Sequence, residues 1–120
     1  MDEYQNSKQY DLEERTFCFA KNCKDFVKFL PKTIANLEYG KQLIRSSGSQ
    51  AANYIEANEA LSKKDFSHRV KICRKETKES CLWLRLCEIS NDKLQENKDY
   101  LLKEATELRK IFTSIINKSL

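Results

Sequence analysis

The chain has 120 residues, of which 33 % are charged, with only 2 glycines, 1 proline and a net charge of +4. This length predicts one domain, and the scarcity of helix breakers predicts an almost wholly helical protein. No run of about 18 apolar residues occurs and the N-terminus is polar, so we expect neither a membrane span nor a signal peptide, and we place the protein in the cytoplasm.

The cysteine pattern argues against a disulfide framework and against a zinc site. Five cysteines are an odd number, no Cys-x-x-Cys pair occurs, and His68 is the only histidine. We therefore expect reduced thiols that serve as small buried filler, and no metal or other cofactor. The five are Cys18, Cys23, Cys73, Cys81 and Cys87.

The first predicted helix runs from about Leu12 to Leu30. Its apolar residues recur at three- and four-residue spacings, and Pro31 ends it because the residue before proline leaves the helical region. Residues 1–11 show no periodicity and are predicted to be a flexible segment. The single domain is then residues 12–118. The apolar face comprises Phe19, Cys23, Phe26, Val27 and Leu30.

The second predicted helix runs from about Thr33, a capping candidate, to Ala60. It carries small and polar residues around Gly48, where a core helix would carry large apolar ones. Small residues allow two backbones to approach closely, which would offset the cost of about 1 kcal/mol for each helical glycine, Gly40 and Gly48. We expect a contact seam between helices or subunits, with Gly48 at its narrowest point, along Ile34, Leu37, Ile44, Ala51 and Ile55.

The third predicted helix follows the cap Ser62 and spans about Lys63 to Ile89, and the fourth follows an Asn or Asp cap and spans about Asp92 to Asn117. The third has a main apolar face (Phe66, Val70, Cys73, Thr77, Leu84, Cys87) and a second apolar strip (Ile72, Trp83, Leu86). The fourth has a heptad-like seam of Leu94, Leu101, Ala105, Leu108, Phe112 and Ile115. Short connections between long helices predict an all-α, antiparallel up-down-up-down four-helix bundle.

A basic stripe on the third helix is the clearest charge pattern. Residues 63–89 carry eight basic and four acidic side chains, so the net charge of the whole chain resides there. A basic helical face is typical of contact with a phosphate backbone, while the alternative is a solvated face. Like charges at i,i+4 destabilise a helix, which disfavours a purely structural role. The predicted nucleic-acid-binding residues are Lys64, Lys71, Arg74, Lys75, Lys78 and Arg85.

Other polar and aromatic residues indicate structure more than chemistry. Arg45, Asn53, Glu56, Glu76 and Glu79 could supply paired carboxylates for acid/base catalysis, but no nucleophile, phosphate loop or metal motif accompanies them. We interpret them as a network between the second and third helices, and we do not expect an enzyme. The aromatic residues Tyr39, Tyr54 and Trp83 are predicted core or interface residues and not base-stacking platforms.

The chain from Leu30-Pro31-Lys32 to Arg74 and Glu79 resembles, in the order and spacing of its residues, the four-helix-bundle proteins encoded in bacterial 23S rRNA intervening sequences. The accessory protein of diversity-generating retroelements is similar in fold. The resemblance spans about Thr16 to Ile115 and implies a ring, in this family a homopentamer with a central channel. Ala51 and Ala57 stand where many members carry Pro and Gly, which implies a straighter second helix. The matching positions are Leu30-Pro31-Lys32, Tyr39-Gly40, Arg45-Ser46-Ser47, Ser49, Asn53, Glu56, Phe66, Arg74 and Glu79.

These observations lead to one expectation and one alternative. We expect a non-enzymatic, oligomeric protein that binds nucleic acid, RNA in particular, with the second-helix seam and the second apolar strip building the ring. The alternative is a scaffold or adaptor for a protein partner, such as a reverse transcriptase or an rRNA-processing factor. The expected structural or interface residues are Arg45, Ser49, Asn53, Glu56, Glu79 and Trp83.

Overall fold

A computed structural model describes residues 11–119, which form four helices and no strand. The helices are α1 (Leu12–Lys28), α2 (Ile34–Asn58), α3 (Lys63–Leu86) and α4 (Asp92–Lys118). Each helix packs against two others: α1 against α2 and α4, and α3 against α2 and α4. This arrangement is compatible with the predicted four-helix bundle. The predicted flexible segment, residues 1–11, lies outside the described residues except for Asp11.

Each helix begins at a side-chain cap. Oxygens of Asp11, Thr33, Ser62 and Asn91 accept a hydrogen bond from the backbone N–H three residues further on. A cap of this kind stabilises a helix by about 1 kcal/mol, so the four residues define where the helices start. The predicted caps of α2, α3 and α4 are confirmed. Helices α1, α2 and α3 end two or three residues earlier than predicted.

The apolar faces of α3 and α4 form the centre of the core as predicted. Val70, Cys73 and Leu84 are fully buried, and so are Leu108 and Phe112. In the last turn of α4, Ile116 is buried and the predicted Ile115 is only partly so, a shift of one residue around the helix.

The predicted seam of α2 is not part of this core. Ile34 is 84 % exposed, Ile44 45 % and Ile55 50 %, and within the described residues nothing lies within 4 Å of the position that a Cβ would take at Gly48. Leu37 is exposed as well. These residues form one outward-facing apolar surface, the α2 stripe, defined here as Ile34, Leu37, Ile44, Gly48, Ala51 and Ile55.

The opposite face of α2 is buried, and much of it is polar. Ser46 Oγ and Ser80 Oγ are hydrogen-bonded at 2.7 Å and link α2 to α3. Gln50 Nε2 donates to the carbonyl oxygens of Thr16 (2.8 Å) and Ser47 (3.0 Å), which links α2 to α1. Because buried polar groups need partners, these bonds restrict how the three helices can slide relative to one another.

Close approach occurs at Gly40 and not at Gly48. A Cβ built on Gly40 would lie 2.8 Å from Val27 Cγ1. We expect Gly40→Ala to lower the free energy of unfolding by about 1 kcal/mol, because overpacking of about 1–3 kcal/mol outweighs the gain in helix propensity. Gly48→Ala should raise it by up to about 1 kcal/mol. Urea unfolding of both variants at one protein concentration measures this, and equal shifts of the same sign would contradict the packing.

The cysteines divide by helix face. Cys23, Cys73 and Cys87 are buried and Cys81 is half-buried, whereas Cys18 is exposed, so the prediction of buried filler is wrong for Cys18. Its spacing of five residues from Cys23 places it on the outer side of α1. Burial raises the pKa of Cys73 to about 12, so that thiol stays neutral at physiological pH.

Within residues 11–119, no group of three or more His, Cys, Asp or Glu side chains is arranged to hold a metal ion. None of the helices described is long and apolar enough to cross a membrane.

Candidate nucleic-acid interface

A basic groove of about 1060 Å³ runs between α3 and α4. Four basic residues line it from α3: Lys71, Arg74, Lys75 and Lys78. Three more line it from α4: Arg109, Lys110 and Lys118. Hydroxyl and amide side chains of α4 complete the wall: Thr106, Thr113, Ser114 and Asn117. Among the described residues that line the groove, none is acidic and none is aromatic.

Helical periodicity places the α3 residues on one face, since positions 71, 74, 75 and 78 are spaced as i, i+3, i+4 and i+7. The short connection between α3 and α4 makes the two helices antiparallel neighbours, so the late turns of α4 stand opposite the middle of α3. Arg74 Nη1 donates to Thr113 Oγ1 at 3.3 Å and joins the two walls. Arg74 is half-buried, whereas Lys71, Lys75 and Lys78 are exposed and point their charges to solvent.

The positive charge of the groove is largely uncompensated. Within residues 11–119, no carboxylate forms an ion pair with the four basic residues of the α3 wall. On the α4 wall, Lys110 pairs with Glu107 at 3.5 Å, both side chains being exposed. Like charges gathered in this way repel each other, and a bound polyanion would relieve that repulsion. The groove is therefore suited to phosphate groups.

Two of the six predicted binding residues, Lys64 and Arg85, do not line the groove. Lys64 lies in the first turn of α3 and Arg85 in the last, so both are about two turns from the nearest lysine of the α3 wall. Near Arg85 the adjacent part of α4 carries Lys98, whose Nζ donates to the Arg85 carbonyl at 3.2 Å. The heptad stripe on α3 is thus longer than the groove.

Sequence reasoning missed the α4 wall. A signal for it exists: residues 108–120 carry three basic residues and no acidic one, although α4 as a whole is nearly neutral. Recognising it also required knowing that this end of α4 stands opposite the middle of α3.

The aromatic residues lie elsewhere. The rings of Trp83 and Tyr39 are stacked, with centroids 5.9 Å apart and planes inclined by 21°. Tyr54 is buried and its ring lies 6.3 Å from that of Phe112. These side chains bind each other across helices α2–α3 and α2–α4, so they are not free to stack on nucleic-acid bases.

An ion-pair cluster joins the outer sides of α2 and α3. Arg45 Nη2 donates to Glu79 Oε1 at 2.9 Å and lies 3.4 Å from Glu76 Oε1. Glu76 is almost fully buried, so its carboxylate depends on this partner. The arrangement links the two helices and pairs both carboxylates with the same guanidinium group.

A second polar link involves Asn53. Its Nδ2 donates to the carbonyl oxygen and to Oγ of Ser49, at 3.0 and 3.2 Å, and its Oδ1 accepts from Arg69 Nη1 at 3.1 Å. Glu56 is exposed, and none of the described residues forms a hydrogen bond or an ion pair with its side chain. Ser49 and Asn53 thus connect α2 to α3, whereas Glu56 lies outside this link.

The chain is similar to known proteins in both sequence and structure. The model of a family described as 23S rRNA-intervening sequence protein matches residues 8–114. The chain is also similar to a protein of unknown function from Bacteroides thetaiotaomicron, a member of the S23 ribosomal protein family whose crystal structure is known. The two sequences are 29 % identical, and the structures superpose with a TM-score of 0.72 over 87 % of this chain and 96 % of that one. The curated proteins contain no significant match.

Proposed function

We propose that this chain, which belongs to the 23S rRNA-intervening sequence protein family, is a non-enzymatic cytoplasmic protein. In this proposal it binds RNA through the basic groove between α3 and α4. One observation carries the proposal: seven basic residues from two helices line one groove in which none of the described lining residues is acidic. Nucleic acid is the polyanion whose phosphates match such a surface.

The groove supports phosphate contacts in two ways. Lysine Nζ groups act as mobile point charges, which suits phosphates in varied positions. The hydroxyl of Ser114 can donate a further hydrogen bond to a phosphate oxygen, as such side chains do in protein–nucleic acid complexes. Binding of this kind releases counterions and weakens steeply as salt is added.

Self-association through the α2 stripe is the second part of the proposal. Ile34, Ile44 and Ile55 are too exposed to contribute to the fold of one subunit, and Gly48 leaves room between the last two for a second backbone. The assembly proposed is a closed ring, with five subunits as the family resemblance implies. Helices α2 and α4 lie diagonally across the bundle and meet only through core side chains such as the Tyr54 ring, so contact through the exposed stripe leaves the groove open on each subunit. Repeating the groove around a ring would multiply its affinity for one long strand.

The same exposed stripe also favours a second candidate function, an adaptor that binds a protein partner. In that case the stripe would receive an apolar surface of the partner, and the basic groove would have little affinity for RNA. The two functions therefore differ in whether the basic groove becomes covered when RNA is added.

Chemical acetylation of lysines, with and without bound RNA, tests the proposal. RNA should protect Lys71, Lys75, Lys78, Lys110 and Lys118 from acetylation. The exposed lysines Lys21, Lys24 and Lys93, which lie outside the groove, should react equally in both samples and serve as the internal control. Uniform protection of all lysines, or protection of none, would rule out the groove as the binding site, and the latter would favour the adaptor.

A further inference from the structure

We propose that the groove accepts one unpaired strand and holds it by its sugar-phosphate backbone, with the bases facing outward and unread. This inference rests on the proposed function and adds the form of nucleic acid that the site selects. Three features lead to it: the close packing of the two helices that form the groove, the spacing of its lysines and the chemistry of its walls.

The short distance between two packed helices favours a single strand. Packed helices lie about 8–10 Å apart axis to axis, so a groove between α3 and α4 admits one chain of phosphates, whereas a duplex is wider and can touch only its rims. A flat basic patch would show the reverse preference, because a duplex carries a higher density of charge than a single strand and releases more counterions for each contact. Preference for the single strand therefore distinguishes a recessed groove from a patch.

The lysine spacing matches a chain of successive phosphates. Lys71, Lys75 and Lys78 follow one another along α3 at steps of about 6 and 4.5 Å, since each helical residue rises about 1.5 Å. Such steps are close to the separation of neighbouring phosphates in a single strand. Lys110 and Lys118 face the same space from α4, so that a strand lying along the groove meets cations on both sides.

The described walls of the groove offer no aromatic platform on which bases could stack. Recognition of unpaired bases depends on aromatic or guanidinium planes for stacking and on hydrogen bonds to base edges. No aromatic residue is among the described residues that line the groove, and Trp83 and Tyr39 already stack on each other. The two arginines of the groove are half-buried and engaged with the protein: Arg74 donates to a threonine hydroxyl of α4, and Arg109 lies beside the Cys81 thiol, so neither is an exposed platform. Exposed lysines and hydroxyls suit phosphate oxygens, which are the same for every base.

The experiment measures the affinity of the full chain for four ligands of one length in the same low-salt buffer. The ligands are a uridine homopolymer, a mixed-sequence single strand, an abasic phosphodiester strand and a perfect RNA duplex. We expect the three single strands to agree within about threefold and the duplex to bind at least about tenfold more weakly. The variant Lys71→Glu/Lys75→Glu should weaken binding of the three single strands alike.

The results that would contradict the single-strand inference differ from those that would contradict RNA binding itself. An abasic strand that binds tenfold more weakly than the base-bearing strands shows that bases are read, and a duplex that binds as tightly as the single strands shows that the groove does not select an unpaired strand. Either result overturns this inference and leaves RNA binding intact. If no ligand binds, or if the variant binds as well as the parent, the proposed function fails and this inference fails with it.

Discussion

Reversing three lysines of the α3 wall, Lys71→Glu, Lys75→Glu and Lys78→Glu together, should weaken RNA binding at low salt by at least about 100-fold. Each substitution removes one charge-assisted contact, worth about 1–1.5 kcal/mol, and places a carboxylate beside the remaining cations. All three side chains are exposed and unpaired within the described residues, so the helical fold should persist. Filter binding measures the affinity, and circular dichroism checks the fold.

The matched control reverses three exposed lysines outside the groove: Lys21→Glu, Lys24→Glu and Lys93→Glu. It changes the net charge by the same amount, so it separates a local contact from the general attraction between a positive protein and RNA. We expect this control to bind within about threefold of the parent. Equal losses in the two variants would show that overall charge, and not the groove, accounts for binding.

The second large effect concerns assembly. Substituting Ile44→Asp and Ile55→Asp should convert the proposed oligomer to a monomer at micromolar concentration while the subunit stays folded. Both side chains are about half exposed in the subunit, so each substitution should lower the subunit's own free energy of unfolding by only about 1 kcal/mol. In an assembled seam, however, each carboxylate would be removed from water without a partner, at a cost of several kcal/mol. Native mass measurement gives the number of subunits directly.

A control for this pair comes from the other side of the subunit. Tyr100 is 60 % exposed on α4, which packs beside α1 and α3 and not beside α2, so Tyr100→Asp replaces a similarly exposed side chain by the same charge and should leave the proposed oligomer intact. A parent protein that is itself monomeric at micromolar concentration would contradict the proposed ring. So would Asp variants of the stripe that assemble as the parent does.

Periodicity and capping residues were enough to predict the four helices and the buried faces of α3 and α4. They did not identify the buried face of α2, because the large apolar residues of the predicted seam between helices or subunits are exposed in the single subunit. The buried face of α2 in fact follows alternating three- and four-residue steps through Gly40, Leu43, Ser47, Gln50, Tyr54 and Ala57. Small side chains there allow α1 and α3 to approach, and polar groups such as Gln50 find backbone partners that no sequence pattern reveals.

Only one of the two walls of the candidate site was predicted from the sequence. The α3 wall could be found from the sequence because its charges are close together on one helix. The α4 wall could not, because Arg109, Lys110 and Lys118 join it only through the packing of two helices whose register the sequence does not specify. The same packing explains why Lys64 and Arg85, which were predicted together with the four residues that line the groove, lie outside it: they belong to the stripe on α3 but are near the two ends of that helix.

The central claim is that phosphates bind in this groove, and the salt dependence of RNA affinity tests it most directly. For a single strand, the slope of the logarithm of the affinity against the logarithm of the salt concentration is about −0.7 per phosphate contacted. The parent should therefore show a slope of about −3 or steeper if it contacts four or more phosphates, and the triple reversal of Lys71, Lys75 and Lys78 should make it shallower by about 2. A parent slope near zero, or the same slope in both proteins, would contradict the account.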